Sequence, residues 1–255
     1  MIPSLIIGRK GSVGFPGKNK KIINNKPLFY YTCYNAIKAN VGPIYMSTDD
    51  EEIKDFCQNV INIKVINRPK ELCTTEALGE DVFVHGYKYI RNELNSLNIN
   101  FDKMILLFCN AVTYHYNHIL EGIDLLKECN EYDSAVTVSK YNYYSPARAR
   151  VIKPDGKLHP YIPKDIYDLL FSKEANCDRN STNDCWFADC CVSVVKTRNL
   201  ENLSNGMLPQ KWMGNNILPI FNKAGLDIDE EFQLPLVEYW INKYHPYTIE
   251  EAKKI

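Results

Sequence analysis

No stretch of this 255-residue sequence reaches the roughly 18 consecutive apolar residues that a membrane-spanning helix needs, and no membrane partner is expected. The first residues, Met1-Ile2-Pro3-Ser4, carry no charged and then apolar leader. They run straight into what reads as a core strand, so no signal peptide is expected either. Net charge is as scarce: 30 Lys and Arg against 31 Asp and Glu leave −1. Binding along a nucleic-acid backbone calls for a clearly basic surface, which excludes nucleic acid as the main partner. There is no internal repeat and no low-complexity linker. With no export signal, the nine cysteines read as reduced thiols of a cytoplasmic protein rather than as a disulfide framework.

What is present is an ordinary globular composition, 45% hydrophobic and 24% charged, long enough for a sizeable core. The most informative segment is Leu5 to Asn19. An apolar strand enters a loop with Gly11, Gly14 and Gly17, Ser12, and the cations Arg9, Lys10 and Lys18. Glycine lets backbone N–H groups approach an anion closely. Arg9 offers a planar fork to phosphate and Lys18 a point charge. The loop is neither a Walker A loop, since Lys18 is followed by Asn19, nor the Gly-x-Gly-x-x-Gly turn that opens a helix directly. Pro16 and the polar run to Asn25 delay the first helix to about Leu28. The loop is therefore long enough to wrap a nucleotide, with a Gly- and Lys-rich surface turn as the plain alternative.

Apolar periodicity then alternates between strand and helix. Strands are expected at Leu5–Ile7, Pro43–Ser47, Val65–Asn67 and Met104–Phe108, and helices at Leu28–Ala39, Glu51–Asn59, Glu80–Leu97 and Ile119–Glu128. Thr48-Asp49 supplies N-caps for the second helix. The order predicts an α/β fold, a mostly parallel, doubly wound (Rossmann-like) sheet with ligands outside the carboxyl ends of its strands. The Arg9 loop, Thr48-Asp49, Arg68 and the Cys109-Asn110 corner all fall at such ends. From Ser134–Ser139, a further strand, the pattern changes. Arg150–Lys153 and Leu158–Ile162 flank Pro154-Asp155-Gly156 as a hairpin, residues 163–185 are polar and irregular, and Asp189–Val195 returns as a strand. One domain over 1–255 with an inserted β-hairpin arm at about 140–187 is the simplest division.

Asp227-Ile228-Asp229 is the second strong signal. In an extended backbone residues i and i+2 point the same way, so both carboxylates can face one Mg²⁺ with substrate phosphates completing the shell. Asp229 equally suits the N-cap of a helix carrying Leu234, Val237, Trp240 and Ile241. Cys177, Cys185, Cys190 and Cys191, with His159 upstream, lack the paired spacing of a zinc site and read as small core residues. The tyrosine-rich run Tyr141, Tyr143, Tyr144 leads to Arg148 and Arg150, either of which can meet an acidic acceptor or simply face solvent as hairpin charge.

The run Arg9-x-Gly11-Ser12-x-Gly14-x-Pro16-Gly17-Lys18-Asn19 resembles the signature of the acylneuraminate cytidylyltransferases (CMP-sialic acid synthetases), a family related to the CMP-Kdo synthetases. The resemblance continues through Lys26-Pro27-Leu28 with Tyr31, Ser47 to Ile53, Arg68-Pro69-x-Glu71-Leu72, Glu80-Asp81-Val82 with His85, and Asp227-Ile228-Asp229. It implies a nucleotidyltransferase that joins CTP to a sialic, legionaminic or Kdo-like sugar acid, releases pyrophosphate, and works as a homodimer whose excursion crosses to the second subunit. Arg9, Lys18 and Asp229 would be catalytic, Gly11 and Ser12 would hold the triphosphate, and Asp227 with Asp229 would hold Mg²⁺. By resemblance Asn19 and Arg68 also serve the nucleotide, although a strand-end Arg is often structural. Three departures stand out. Val13 replaces the Lys that commonly follows the loop Ser, Ala77-Leu78-Gly79 replaces the Ser-rich turn before the third helix, and Phe108-Cys109-Asn110-Ala111-Val112-Thr113 replaces Leu-Gln-Pro-Thr-Ser-Pro. The family's Gln is expected to contact the sugar acid, so Cys109 and Asn110, with Arg148, are the candidate acceptor contacts and the acceptor is left open. The alternatives are the same fold with another acceptor or base, or a member that binds nucleotide without turnover.

Overall fold

The computed structural model describes residues 1–127, 130–171 and 176–245, which fall into two compact units, one of residues 1–137 with the chain from 189 onward and one of residues 138–188. The strands in chain order are β1 (Ser4–Ile7), β2 (Ile22–Ile23), β3 (Lys26–Pro27), β4 (Ile44–Thr48), β5 (Lys64–Asn67), β6 (Lys103–Phe108), β7 (Ser134–Lys140), β8 (Arg150–Ile152), β9 (Leu158–Pro160), β10 (Trp186–Lys196) and β11 (Ile217–Asn222). The helices are α1 (Leu28–Ala39), α2 (Glu51–Asp55), α3 (Gly79–Ser96), α4 (Tyr116–Leu125), α5 (Lys164–Leu170), α6 (Thr197–Glu201) and α7 (Leu234–Tyr244).

Seven strands form the central sheet in the order β11-β7-β10-β6-β1-β4-β5. β1 lies parallel to both β4 and β6, β4 is parallel to β5, and β10 runs antiparallel to β6. The expected mostly parallel, doubly wound architecture is present. Its two-sidedness follows from β1: Leu5 and Ile6 are fully buried and point to opposite faces. Ile6 clusters with Phe29 and Cys33 of α1, while Leu5 lies under Gly86 of α3. Helices therefore cover both faces, and such a sheet reads as continuous apolar strands.

Element boundaries depart from expectation in a few places, each with a local cause. The second helix is capped by Asp50 rather than Thr48 or Asp49, because the Asp50 carboxylate accepts from the backbone of Glu52 and Ile53. After Asp55 that helix widens into a π turn over Phe56–Val60. The fourth helix starts three residues early, at Tyr116, on a His115 cap, and Glu128, its expected end, lies outside the described residues. In the second unit β8 and β9 pair antiparallel as the hairpin, Arg150 opposite Pro160. The stretch read as irregular instead holds a short helix, α5, with Ile166, Leu169 and Leu170 exposed. With its apolar side chains unburied, the run lacked the pattern that marks a core-facing helix. Of the four late cysteines only Cys191 is fully buried. Cys177 is exposed, which corrects the reading of all four as core residues.

Helix α4 approaches the sheet closely at Gly122. A Cβ there would come within 2.7 Å of Val194 Cγ2 and 2.8 Å of Ile220 Cδ1. Both neighbours are β-branched and stiff at χ1. Overpacking of about 1–3 kcal/mol should exceed the helix-propensity gain of about 1 kcal/mol from Gly to Ala. Gly122→Ala is therefore expected to lower Tm in a thermal melt, and a higher Tm would place the helix farther from the sheet.

Candidate functional site

At the carboxyl ends of β1, β5 and β6 the first unit opens a cleft of about 430 Å³. The loop after β1 forms one wall, and its shape depends on particular glycines. Gly17 takes a left-handed φ of 70° ahead of the short turn Lys18–Lys20, a conformation that glycine adopts without strain. A Cβ on Gly14 would sit 2.8 Å from the Asp229 carbonyl, and one on Gly8 2.5 Å from Cys109 Sγ. Gly11 has nothing within 4 Å of a Cβ position, so its backbone faces open space. Gly8 was not singled out from the sequence. Its signal would have been the direct strand-to-loop transition at Ile7-Gly8.

Three cations face this space. Arg9 hydrogen-bonds the Thr74 carbonyl, and Asn19 Nδ2 donates to the Arg9 carbonyl at 3.0 Å, closing the loop on itself. Asn19 is buried, and among the described residues its Oδ1 has no hydrogen-bond partner. A buried acceptor left unpaired is costly and suits a ligand that brings a donor. Arg68 donates from Nη2 to the Ser47 carbonyl at 2.6 Å and from Nε to Ser47 Oγ at 3.3 Å. Burial pulls its guanidinium below the ordinary range, and the nearby Asp49 opposes that. A core salt bridge is the structural alternative for Arg68; its hydrogen bonds go instead to Ser47, and the residue also lines the cleft. Lys18 forms an ion pair with Asp229 across the mouth.

The opposite wall carries the aspartates. Asp227 and Asp229 both line the cleft, on the extended segment that joins β11 to α7. Asp229 does not cap the helix. Glu230 and Gln233 form the capping box of the short 3-10 turn Glu231–Gln233 that leads into it, and Gln233 Oε1 accepts from the backbone of both Asp229 and Glu230 at 2.7 Å. Burial first, and then the neighbouring Asp229 charge, raises the Asp227 carboxyl above the ordinary carboxylate value. Cys190, close by, is pushed up to about 12 by burial and by Asp227, Asp189 and Asp229, so it is a neutral thiol at pH 7. Among the described residues no group of three or more His, Cys, Asp or Glu is placed to hold a metal. The aspartate pair nevertheless fits a hard divalent cation. Both donors are carboxylate oxygens, their mutual repulsion is what such a cation relieves, and Mg²⁺ takes the rest of its shell from phosphates and water.

Arg9, Gly11, Ser12, Lys18, Asn19, Arg68, Asn110, Asp227 and Asp229 all line this one cleft. Cys109 does not, which corrects its reading as an acceptor contact. Phe108 and Asn110 face the cleft, and the residue between them points to the other side. Its thiol is fully buried at 3.8 Å from Met46 Sδ, and burial pushes it up from its ordinary value. Asn110 is 8% exposed. Its Nδ2 donates to the Ile228 carbonyl at 3.0 Å, so its amide holds the aspartate segment. Arg148 belongs to the second unit, where its Nη2 donates to the Cys177 carbonyl at 3.0 Å. Leu72, Ala77, Val82 and Phe108 form an apolar side of the cleft; in the sequence Leu72, Val82 and Phe108 stand in the motifs without being read as one surface. This apolar side, beside the cations, suits a planar ring attached to a polyanion.

Residues 4–92 match the model of the cytidylyltransferase family. The chain is 26% identical over 172 residues to the N-acylneuraminate cytidylyltransferase of Escherichia coli, covering 68% of this chain and 38% of that protein. It is also 26% identical over 179 residues to the 3-deoxy-manno-octulosonate cytidylyltransferase of Thermodesulfovibrio yellowstonii, covering 66% of this chain and 62% of that one. The chain thus spans less than two thirds of the length of both relatives. In fold it is similar to a CMP:2-keto-3-deoxy-manno-octonic acid synthetase solved with CTP, with a TM-score of 0.64 at 15% identity over 95% of this chain and 99% of that one. The expected likeness to acylneuraminate and Kdo cytidylyltransferases is present.

A carboxyl whose folded pKa lies above its unfolded value destabilises the fold at high pH, where it is charged in both states. The penalty fades as pH falls through the raised folded pKa of Asp227 and is absent below the unfolded value. In chelator, Asp227→Asn is therefore expected to raise Tm at pH 7, and the gain should vanish towards pH 3. A variant that melts below the parent at pH 7 would mean that Asp227 carries a stabilising contact.

Proposed function

We propose that this chain, similar as it is to cytidylyltransferases, is a cytoplasmic Mg²⁺-dependent enzyme that transfers CMP from CTP to a sialic, legionaminic or Kdo-like sugar acid. The product would be a nucleotide sugar for surface polysaccharide. The observation that carries the reading is the meeting of the Arg9–Lys18 loop and the Asp227/Asp229 pair in one cleft.

The reaction forms one bond and breaks one. An acceptor hydroxyl oxygen attacks the α-phosphorus of CTP, the bond to the β-phosphate oxygen breaks, and pyrophosphate leaves while the hydroxyl proton passes to solvent. Charge grows on the phosphoryl oxygens and the leaving group, so fixed positive groups supply most of the rate. Arg9 and Lys18 hold the triphosphate, and the Gly11 and Ser12 amides with the Ser12 hydroxyl meet its oxygens. Asn19 and Arg68 face the nucleoside side, where Val82 and Phe108 offer a surface to the base. Asp227 and Asp229 would hold Mg²⁺, which when bound neutralises the developing phosphate charge. Lys18 pairs with Asp229. A triphosphate offers the ammonium a stronger partner and frees the carboxylate.

Homodimerisation belongs to the same reading. In the second unit Ile152, Leu158, Tyr161 and Leu169 are 72%, 70%, 66% and 83% exposed. Large side chains clustered in one small unit mark an association surface, and a second copy of the chain is the partner that the family likeness suggests. Light scattering should find a dimer, with Leu169→Asp shifting it to monomer. A monomeric parent would remove this part.

CTP should raise Tm more in Mg²⁺ than in chelator, because both cleft walls then bind the native state. Arg9→Ala and Asp229→Asn should each keep a near-parental melt while lowering pyrophosphate release by about a hundredfold or more. An unchanged melt with every nucleoside triphosphate at millimolar levels would overturn nucleotide binding. Nucleotide binding without pyrophosphate release, across N-acetylneuraminate, Kdo and diamino-dideoxy sugar acids, would leave a non-catalytic binder or another acceptor.

A further inference from the structure

Asp227 and Asp229 lie on a segment that belongs to no strand of the sheet, so something else must set their direction. Their backbone is fastened at the alternate residues. The Ile228 N–H donates to the Asn110 carbonyl at 3.0 Å, and Asn110 Nδ2 returns a bond to the Ile228 carbonyl at 3.0 Å. One step earlier, the Leu226 N–H donates to Thr113 Oγ1 at 2.8 Å, and the same hydroxyl donates to the Leu226 carbonyl at 3.2 Å. A single side-chain hydroxyl thus satisfies both backbone groups of one residue. Holding residues 226 and 228 on one side turns the side chains of 227 and 229 together.

Thr113 is itself braced from behind. It is fully buried, and its carbonyl accepts from Asn222 Nδ2 at 2.9 Å. The same Asn222 amide donates to Asp189 Oδ2 at 2.9 Å. The other oxygen, Asp189 Oδ1, accepts from the Thr137 hydroxyl and, at 3.1 Å, from the Cys191 N–H. Strands β7, β10 and β11 therefore converge on the carbonyl of one threonine whose hydroxyl grips the aspartate segment. Simple packing would not need this: a Val at 113 would fill the same volume without reaching Leu226.

We propose that Thr113 is a positioning residue for the Asp227/Asp229 pair, acting through Leu226 and braced by the Asp189–Asn222 pair; this rests on the proposed metal role of the two carboxylates. Thr113 does not line the cleft. Its hydroxyl fixes the distance and direction between the carboxylates, and that geometry decides whether both can reach one ion.

The test compares Thr113→Val and Thr113→Ser with the parent chain. Mn²⁺ binding is followed by electron paramagnetic resonance in saturating CTP, and CTP binding by calorimetry in chelator. Loss of a group that orients metal ligands typically weakens metal affinity by about 10- to 100-fold. Thr113→Val is expected to show that loss while CTP affinity in chelator stays within about twofold, because Thr113 grips the segment at Leu226 and the Arg9–Lys18 loop meets it at Asp229 and Glu230. Thr113→Ser, which keeps the hydroxyl, should bind Mn²⁺ like the parent. Should Val unfold the chain, Thr113→Cys, nearly the same shape and a far weaker hydrogen-bond partner, reads the same loss. Parental Mn²⁺ affinity in the Val or Cys variant overturns the positioning role, as does equal loss of metal and CTP binding. A parent chain that binds CTP but takes up no Mn²⁺ overturns the metal reading itself, and the positioning role with it.

Discussion

Two carboxylates two residues apart on a half-buried extended segment repel each other, and the rest of the cleft is arranged around that repulsion. Burial and the neighbouring charge hold Asp227 above the ordinary carboxylate range. Lys18 answers the other charge by pairing with Asp229 from 211 residues away in the chain. The pair stays where it is because Asn110 and Thr113 grip the backbone on either side of Asp227. The Mg²⁺ proposed for this pair would relieve unfavourable charges that the fold keeps together at some expense of stability.

The same physics explains why the glycine-rich loop and the aspartate segment need each other. The loop supplies amides and cations suited to phosphate, but Gly14 must lie against the Asp229 backbone, closer than a side chain would permit. The close approach puts Lys18 within reach of Asp229 and leaves the Gly11 backbone facing open space. Loop and carboxylates form a single charged cradle, with an apolar wall from Val82 and Phe108 beside it.

Much of the arrangement was legible in the sequence. Strand and helix periods marked β1, α1, β6 and α3 almost to the residue, because each buries a face against the sheet. The strand-end rule then places Arg9, Arg68 and Asn110 at one end of the sheet from the sequence alone. What escaped was decided by direction rather than position. Cys109 lies at the correct strand end and points into the core, since alternation gives the cleft to Phe108 and Asn110. The cap of α2 slid from Asp49 to Asp50 because the Asp49 carboxylate instead accepts from the Lys10 backbone at 2.7 Å, a contact across 39 residues that no local pattern encodes. Helix α5 stayed hidden because its apolar residues are not buried within the unit that carries them. Thr113 stands in the sequence only as the end of a departing motif: the role proposed for it runs through hydrogen bonds to residue 226, far away in the chain.

The most direct measurement is a crystal structure with CTP and Mn²⁺, with data collected where manganese scatters anomalously. A cleft of the proposed kind gives one peak about 2.0–2.2 Å from a carboxylate oxygen of each aspartate, with Lys18 moved from Asp229 onto the triphosphate. CTP bound with Lys18 still paired to Asp229, and no peak between Asp227 and Asp229, would contradict it.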